Sequence, residues 1–490
     1  MSVADISLVA MASSTAAFFD LDRTLLASSS APIFGERLAE AGLTTQRSIP
    51  FAELFLKFYE EFGEVPATML PAQLAVRAAK GWPVDIVAKA AEAAAEDVAA
   101  SLQPFAELVL ADHREQGHRL VLATTSPEPL VRAIGSAIGF DDVISTSWKS
   151  EKGVYTGQHD GPFVWGTAKA DAVAAYAEAN TIRLSRSYAY SDSYYDAPML
   201  DLVGHPIAVN PDPQLAGLAT LKGWPIRHLD KTAGVAKVAG REVQEWARPL
   251  MRPELVAPYA NIEFAGVEKI PAEGGAIIVF NHRSYFDPTV MGLLMAKAGR
   301  PVRGLGKKEV FDTPIVGAAL QAIGGIRVER ASGSDEPLDR AADALKGGEV
   351  VMMAPQGTIP RGPAFFDPEL KGRWGAARLA ERAKVPVIPV GIWGTEKVWP
   401  RSARFPKVFG LSRPNVSVAV GDPVALKYRS ANKDTERIMA AIANLLPAES
   451  RQLHTPTEAE LARTYPPGYS GNPDGERDRR PGTDTKAGTR

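Results

Sequence analysis

Residues 16–24 read Ala-Ala-Phe-Phe-Asp-Leu-Asp-Arg-Thr, an apolar run that stops at two carboxylates, Asp20 and Asp22. Four apolar residues running into a polar turn fit a short strand buried on both faces. In a strand, residues two apart point the same way, so this spacing brings Asp20 and Asp22 together. The C-terminal end of a parallel strand is where open α/β sheets bind ligands. Two carboxylates there can divide the hydrolysis of a phosphoester: one attacks phosphorus, the other protonates the leaving oxygen and then activates water. Their joint charge repels a phosphate dianion. A hard divalent cation with oxygen ligands, magnesium, is therefore expected.

The next stretches supply the other parts of such a site in order. Apolar strands at 119–123 and 187–190 run into Thr124-Thr125-Ser126 and into Ser191-Asp192-Ser193-Tyr194-Tyr195-Asp196. An Ala-rich helix at 167–179 carries Lys169, and residues 31–117 are mostly helical, with prolines at 50, 66, 71, 83 and 104. A lone Asp after a strand is commonly a turn or cap residue. Four such elements in sequence are harder to explain that way. Strands alternating with helices predict an α/β doubly wound sheet, with the helical block inserted after the first strand.

Over residues 16–215 these motifs resemble the haloacid dehalogenase superfamily, in the branch that contains phosphoserine phosphatases. The resemblance implies a Rossmann-like domain over 1–230 with a helical cap at about 27–117. It implies Asp20 as nucleophile, Asp22 as general acid/base, and Thr124 and Lys169 as phosphate ligands. Asp192 and Asp196 would join Asp20 and Asp22 around Mg2+. Two departures stand out: Ser191 replaces a frequent Gly, and the Glu expected soon after the first motif to hold a substrate amine is missing. That stretch is Ala27-Ser28-Ser29-Ser30-Ala31, and the first acid is Glu36. The cap of this branch usually encloses small polar substrates.

A second constellation begins at the apolar run Ala276–Phe280, which leads into Asn281-His282-Arg283-Ser284-Tyr285-Phe286-Asp287-Pro288. A strand-end His with an Asp five residues on can form a base and its orienting partner. Asp287 followed by Pro288 and an apolar run equally fits a helix N-cap with Pro at the first position. Downstream come Gly324-Gly325-Ile326-Arg327-Val328-Glu329-Arg330, the turn Ala354-Pro355-Gln356-Gly357-Thr358, and the strand-like Val385–Val390. Together they resemble the four sequence blocks of the glycerophosphate and lysophosphatidate acyltransferases, over about 260–425.

This second resemblance implies a C-terminal α/β glycerolipid acyltransferase domain at 261–445, with His282 as base and Asp287 as its partner. Arg330 and Gln356-Gly357-Thr358 would hold the acceptor's phosphate. Gln356 stands where the family usually has Glu, which keeps the hydrogen-bonding shape and loses the charge. The implied reaction moves an acyl group from acyl-CoA or acyl carrier protein to lysophosphatidate, giving phosphatidate, beside hydrolysis of a phosphomonoester. Glycerol 3-phosphate as acceptor, or a phosphoserine phosphatase with a non-catalytic lipid-binding C-terminal module, are the alternatives.

The bulk of the chain is consistent with two enzymes. Its 490 residues exceed one ordinary core, and the absence of cysteine excludes disulfides, a thiolate nucleophile and thiolate-held metal. Net charge is −9 over residues 1–240 and +6 over 241–450, and residues 371–430 carry twelve positive charges against three negative. Such a basic stretch suits anionic headgroups. The N-terminus lacks the positive region of a signal peptide, and no apolar run is long enough to span a bilayer. A cytoplasmic protein in peripheral contact with phospholipid at the inner face of the cell membrane is expected, with no nucleic-acid partner. Residues 231–260 read as a linker with an amphipathic helix, and 446–490 as a disordered tail.

Overall fold

The computed structural model describes residues 14–44, 63–232, 234–238, 240–328, 335–410 and 412–469. The chain divides into two compact α/β units, Met1–Asp230 and Lys231–Arg490.

In the first unit the run Ala-Ala-Phe-Phe forms β1 (Ala16–Phe19), whose four residues are all buried. Ala16 and Phe18 face one apolar core, and Ala17 and Phe19 face another. A strand covered on both sides is the reason its sequence is continuously apolar. Further strands are β2 (Arg119–Pro127), β3 (Asp142–Thr146), the hairpin β4 (Trp148–Glu151) and β5 (Val154–His159), β6 (Tyr188–Ser191), β7 (His205–Val209) and β8 (Ile226–Arg227). The main sheet has the order β3-β2-β1-β6-β7-β8 and is parallel throughout. β1 thus lies between β2 and β6, and the ends of these three strands meet at one place. Helices Ala31–Glu40, Pro66–Leu74, Val84–Ala100 and Ala106–Glu115 fill the interval between β1 and β2. In helix Thr167–Ala179 the buried residues Lys169, Ala170, Val173 and Ala177 form one helical stripe, which turns Lys169 inward.

The second unit begins with the hairpin β9 (Lys237–Val238) and β10 (Arg241–Glu242), then a short helix, Val243–Ala247. The single amphipathic helix expected in this linker is therefore corrected. Gly234 and Gly240 take the left-handed backbone (φ 91° and 75°), which breaks helical propagation. Burial of Glu242 against Arg303 also fixes the chain: Arg303 pairs with Glu242 at 2.6 Å and Glu349 at 2.7 Å, all within the second unit.

The remaining strands are β11 (Asn261–Ala265), β12 (Ala276–Phe280), β13 (Val302–Lys307), β14 (Ile326–Val328), β15 (Val350–Met353), β16 (Val387–Trp393) and β17 (Asn415–Val420). Their order is β11-β17-β16-β12-β15-β13-β14, parallel except at the β16–β17 pair. β12 repeats the design of β1. Ile277 and Val279 face one core, and Ile278 and Phe280 face the other. Gly275 precedes it because a Cβ there would stand 2.1 Å from the Leu345 carbonyl oxygen.

Part of the expected tail is also ordered, which corrects that reading for residues 446–469. Thr457 and Glu460 form a reciprocal capping box at the start of helix Glu458–Arg463. The Thr464 hydroxyl accepts the Gly362 N–H at 2.8 Å, and Tyr465 stacks on Tyr469. Residues 470–490 lie outside the described residues.

Candidate functional sites

At the end of β1 the backbone leaves the strand at once. Asp20 donates its N–H to the Tyr190 carbonyl, Asp22 stays extended (φ −70°, ψ 127°), and Arg23 is left-handed (φ 63°). The two carboxylates therefore approach through a turn, which corrects the expectation that strand alternation alone aligns them. Buried Lys169 donates to Asp20 Oδ1 at 3.0 Å and to Asp196 Oδ2 at 2.8 Å. Ser191, the residue in place of Gly, donates to the same Asp196 oxygen at 2.7 Å. Thr24 donates to Asp192 Oδ1, and the Arg23 guanidinium lies 3.2 Å from Asp192 Oδ2. Asp22 takes its hydrogen bonds from other residues: Oδ1 accepts the Ser30 N–H at 2.6 Å and Oδ2 the Ser126 hydroxyl at 3.2 Å. Thr124 is buried nearby, its hydroxyl accepting the Ser126 N–H.

One member escaped sequence reading. Glu64, in the loop before helix Pro66–Leu74, interacts electrostatically with Lys169, Asp196, Asp20 and Asp192. Its Oε2 is enclosed with no hydrogen-bond partner among the described residues. Gly63 lies against Arg23; a Cβ there would sit 2.6 Å from the guanidinium Nη1. The only local signal was Gly-Glu just before a proline at a helix start, which is a common cap sequence.

Charge at this site is unbalanced. Among the described residues, Asp20, Asp22, Glu64, Asp192 and Asp196 face only Lys169 and Arg23 as cations. Burial raises the Asp20 carboxyl to about 7, against the pull of Lys169, and Asp196 and Asp22 add to the rise. Burial likewise pushes Asp192 and Glu64 well above the usual carboxylate range, and Asp22 upward. Burial works against the Lys169 ammonium, yet Asp196 and Asp20 outweigh it and keep the lysine charged. Asp196 Oδ1 is buried with no partner. A surplus of carboxylates with an orphaned oxygen fits a hard divalent cation. Among the described residues no three acids or histidines already stand as a ligand set, and Lys169 spans Asp20 and Asp196.

The second site is built differently. His282 stands two residues past the end of β12, and its Nδ1 is 2.7 Å from Asp287 Oδ2. That oxygen also accepts the Arg283 and Ser284 N–H groups at 2.7 and 2.9 Å. Thr395 donates to the other oxygen at 2.6 Å. Asp287 is fully buried, while the His282 ring keeps 23% of its surface exposed. With Nδ1 tied to the carboxylate, Nε2 is the nitrogen left for chemistry. The capping alternative fails here: Asp287 lies inside helix Asp287–Lys297, and its oxygens serve the preceding turn.

Gln356 is buried, and its Oε1 accepts the His282 N–H at 2.6 Å. It holds the His282 backbone, whereas the sequence placed it against the acceptor. Gly357 (φ 68°) closes the turn with its N–H on the Ala354 carbonyl, and Thr358 follows, half-buried. Arg330 lies outside the described residues. Two side chains not foreseen complete the frame. Asn281 makes a two-way bond with the backbone of Ile392, and Arg283 stacks between Phe365 and Trp393 while pairing with Glu396.

Comparison with known proteins agrees with this division. A family model described as haloacid dehalogenase-like hydrolase matches residues 17–201, and one described as acyltransferase matches 261–393. The "Inhibition of morphological differentiation protein" of Streptomyces azureus is 35% identical over 219 residues, covering 43% of this chain and 77% of that protein. "Phosphoserine phosphatase SerB1" of Mycobacterium tuberculosis is 36% identical over 218 residues, covering 43% of this chain and 70% of its own. Among solved structures, the Thermotoga maritima 1-acyl-sn-glycerophosphate acyltransferase is 23% identical with a TM-score of 0.33, covering 41% of this chain and 77% of that one. The chain belongs to the haloacid dehalogenase-like hydrolases through its first unit and carries an acyltransferase domain in its second.

Proposed function

We propose that the first unit hydrolyses phosphomonoesters through an aspartyl phosphate and that the second acylates lysophosphatidate to phosphatidate. Asp20 attacks phosphorus with the carboxylate oxygen that Lys169 does not hold, and the bond to the leaving alcohol breaks. Asp22, its carboxyl pushed upward by burial and aimed by Ser30 and Ser126, gives that alcohol its proton. It then takes a proton from the water that cleaves the aspartyl phosphate. Lys169 and Thr124 neutralise and orient the phosphoryl oxygens. Asp20, Asp192 and Asp196 would hold Mg2+, which supplies charge neutralisation between carboxylates and phosphate.

In the second unit His282 Nε2 takes the proton of the acceptor hydroxyl as it attacks the thioester of acyl-CoA or an acyl carrier protein; the C–S bond then breaks, and the imidazolium returns the proton to the leaving thiolate. Asp287 stabilises the imidazolium that forms. Gln356 acts as a positioning residue, and Gly357, Thr358 and Arg330 would meet the acceptor phosphate. The Nδ1–Asp287 bond, with Nε2 left open, carries this reading. Membrane contact is proposed at the basic stretch. No helix among the described residues is long and apolar enough to cross a membrane. Phe405 and Phe409 are 71% and 94% exposed beside Arg404 and Lys407, a pairing suited to an anionic interface.

The test pairs two variants. Asp20→Asn should lower Mg2+-dependent hydrolysis of p-nitrophenyl phosphate at least about 1,000-fold and leave phosphatidate formation within about two-fold. His282→Ala should do the reverse with labelled lysophosphatidate and acyl-CoA. If the wild-type chain forms no phosphatidate, lysophosphatidate is the wrong acceptor, and glycerol 3-phosphate is tried next.

A further inference from the structure

A cavity of about 780 Å3 opens at the hydrolase site, with Asp22, Ser30, Ser126 and Glu64 at its polar end. Most of the remaining wall is apolar, with Glu36, Glu40 and His159 among its polar members. Phe34 and Leu38 come from helix Ala31–Glu40, Met69 from helix Pro66–Leu74, and Leu130 and Trp148 from beyond β2. Its size falls within the few hundred to ~1,000 Å3 of small-molecule sites.

The wall's charge is as informative as its apolarity. Among the described residues no lysine or arginine lines it, whereas Glu36, Glu40 and Glu64 do. A phosphoamino acid would have to bring its carboxylate into this space, away from water, where His159 is the one basic side chain among the described lining residues and three glutamates repel it. A hydrocarbon chain would instead bury apolar surface along the whole length. The small polar substrate implied by the cap's resemblance thus meets the wrong wall.

We infer that the hydrolase site acts on phosphomonoesters whose leaving alcohol carries a long apolar chain, the chain lying in this cavity while the phosphate meets Asp20. The inference rests on the phosphohydrolase reading above. It places the phosphate of a single-chain lipid within reach of Asp22, whose proton would go to the lipid alcohol as the P–O bond breaks. The apolar chain contributes binding energy far from the reacting atoms, which raises kcat/KM.

The full chain would be assayed with Mg2+ on monoalkyl phosphates from butyl to decyl, below their micelle concentrations, and on O-phosphoserine and p-nitrophenyl phosphate. kcat/KM should climb about two- to four-fold per methylene until the cavity is full. O-phosphoserine should fall at or below butyl phosphate. Ala39→Trp and Ala72→Trp, each filling the cavity from a half-buried helix position, should shorten the best chain and leave butyl phosphate hydrolysis unchanged. A flat response to chain length, or a preference for O-phosphoserine over decyl phosphate, would overturn the inference while leaving the phosphohydrolase intact. If no phosphomonoester is turned over above the Asp20→Asn background, the phosphohydrolase reading itself falls, and this inference falls with it.

Discussion

The two sites of this chain stand at equivalent places, each just past a strand buried on both faces, yet they handle charge in opposite ways. At the end of β1, five carboxylates share two cations, and burial drives Asp20, Asp192 and Glu64 toward their protonated forms. At the end of β12, a single carboxylate, Asp287, is satisfied by two backbone N–H groups, one hydroxyl and one imidazole. The first arrangement is electrostatically unfinished and suits a cation and a phosphate dianion. The second is complete as the chain folds, because its charge has only to orient one ring. Chemistry on an anionic ester and chemistry on a neutral thioester differ in this respect.

The largest expected break in that contrast is Asp287→Asn. The amide keeps the shape but cannot accept from His282 Nδ1 as the carboxylate does, and it brings an N–H₂ to where N–H donors converge. Acyl transfer should fall by about 10³–10⁴, with phosphomonoester hydrolysis unchanged. Both rates measured on one preparation check it; a loss below ten-fold would mean His282 works without its partner. Thr395→Val sharpens the same point with a smaller effect. It removes one charged hydrogen bond from Asp287 and should lower acyl transfer about ten-fold, with KM little altered. A change confined to KM would place Thr395 in acceptor binding.

Most of both sites was legible because their residues sit next to strands whose sequences are unambiguous. Ala16–Phe19 and Ala276–Phe280 are continuous apolar runs, so Asp20 and His282 could be placed at strand ends directly. Glu64 was not legible, since it reaches the cluster from the helical insertion, 42 positions beyond Asp22, and nothing local marks its partners. Gln356 was read as facing the acceptor because a motif gives residue order and not side-chain direction. The 231–250 stretch looked helical from its polar and apolar spacing. The pull of Arg303 on Glu242, 61 residues away, is a tertiary effect that periodicity does not contain. The ordered segment after residue 450 depends likewise on Gly362 meeting Thr464.

The smallest expected effect tests whether charge imbalance in the first unit is confined to its catalytic end. His113 lies beneath the sheet, its Nε2 2.7 Å from the Tyr190 hydroxyl and its Nδ1 2.7 Å from His118 Nδ1. Burial, with the neighbouring His118, pushes the His113 imidazole down to about 4 from its ordinary value of 6.5. A histidine depressed in this way binds its proton more readily when unfolded. Its contribution to stability is therefore full above about pH 6.5 and is lost as pH falls toward 4. The urea midpoint of the first unit, followed apart from the second, should drop between pH 7 and pH 5, and His113→Gln should flatten that slope. An unchanged slope in the variant would show that His113 does not set the pH sensitivity; the buried carboxylates cannot supply a loss of that sign. Their raised values have the opposite sign: carboxyls buried above their unfolded range stabilise at low pH and weaken the fold as pH rises. His113 and the carboxylate cluster thus pull the pH profile in opposite directions, and the variant separates them.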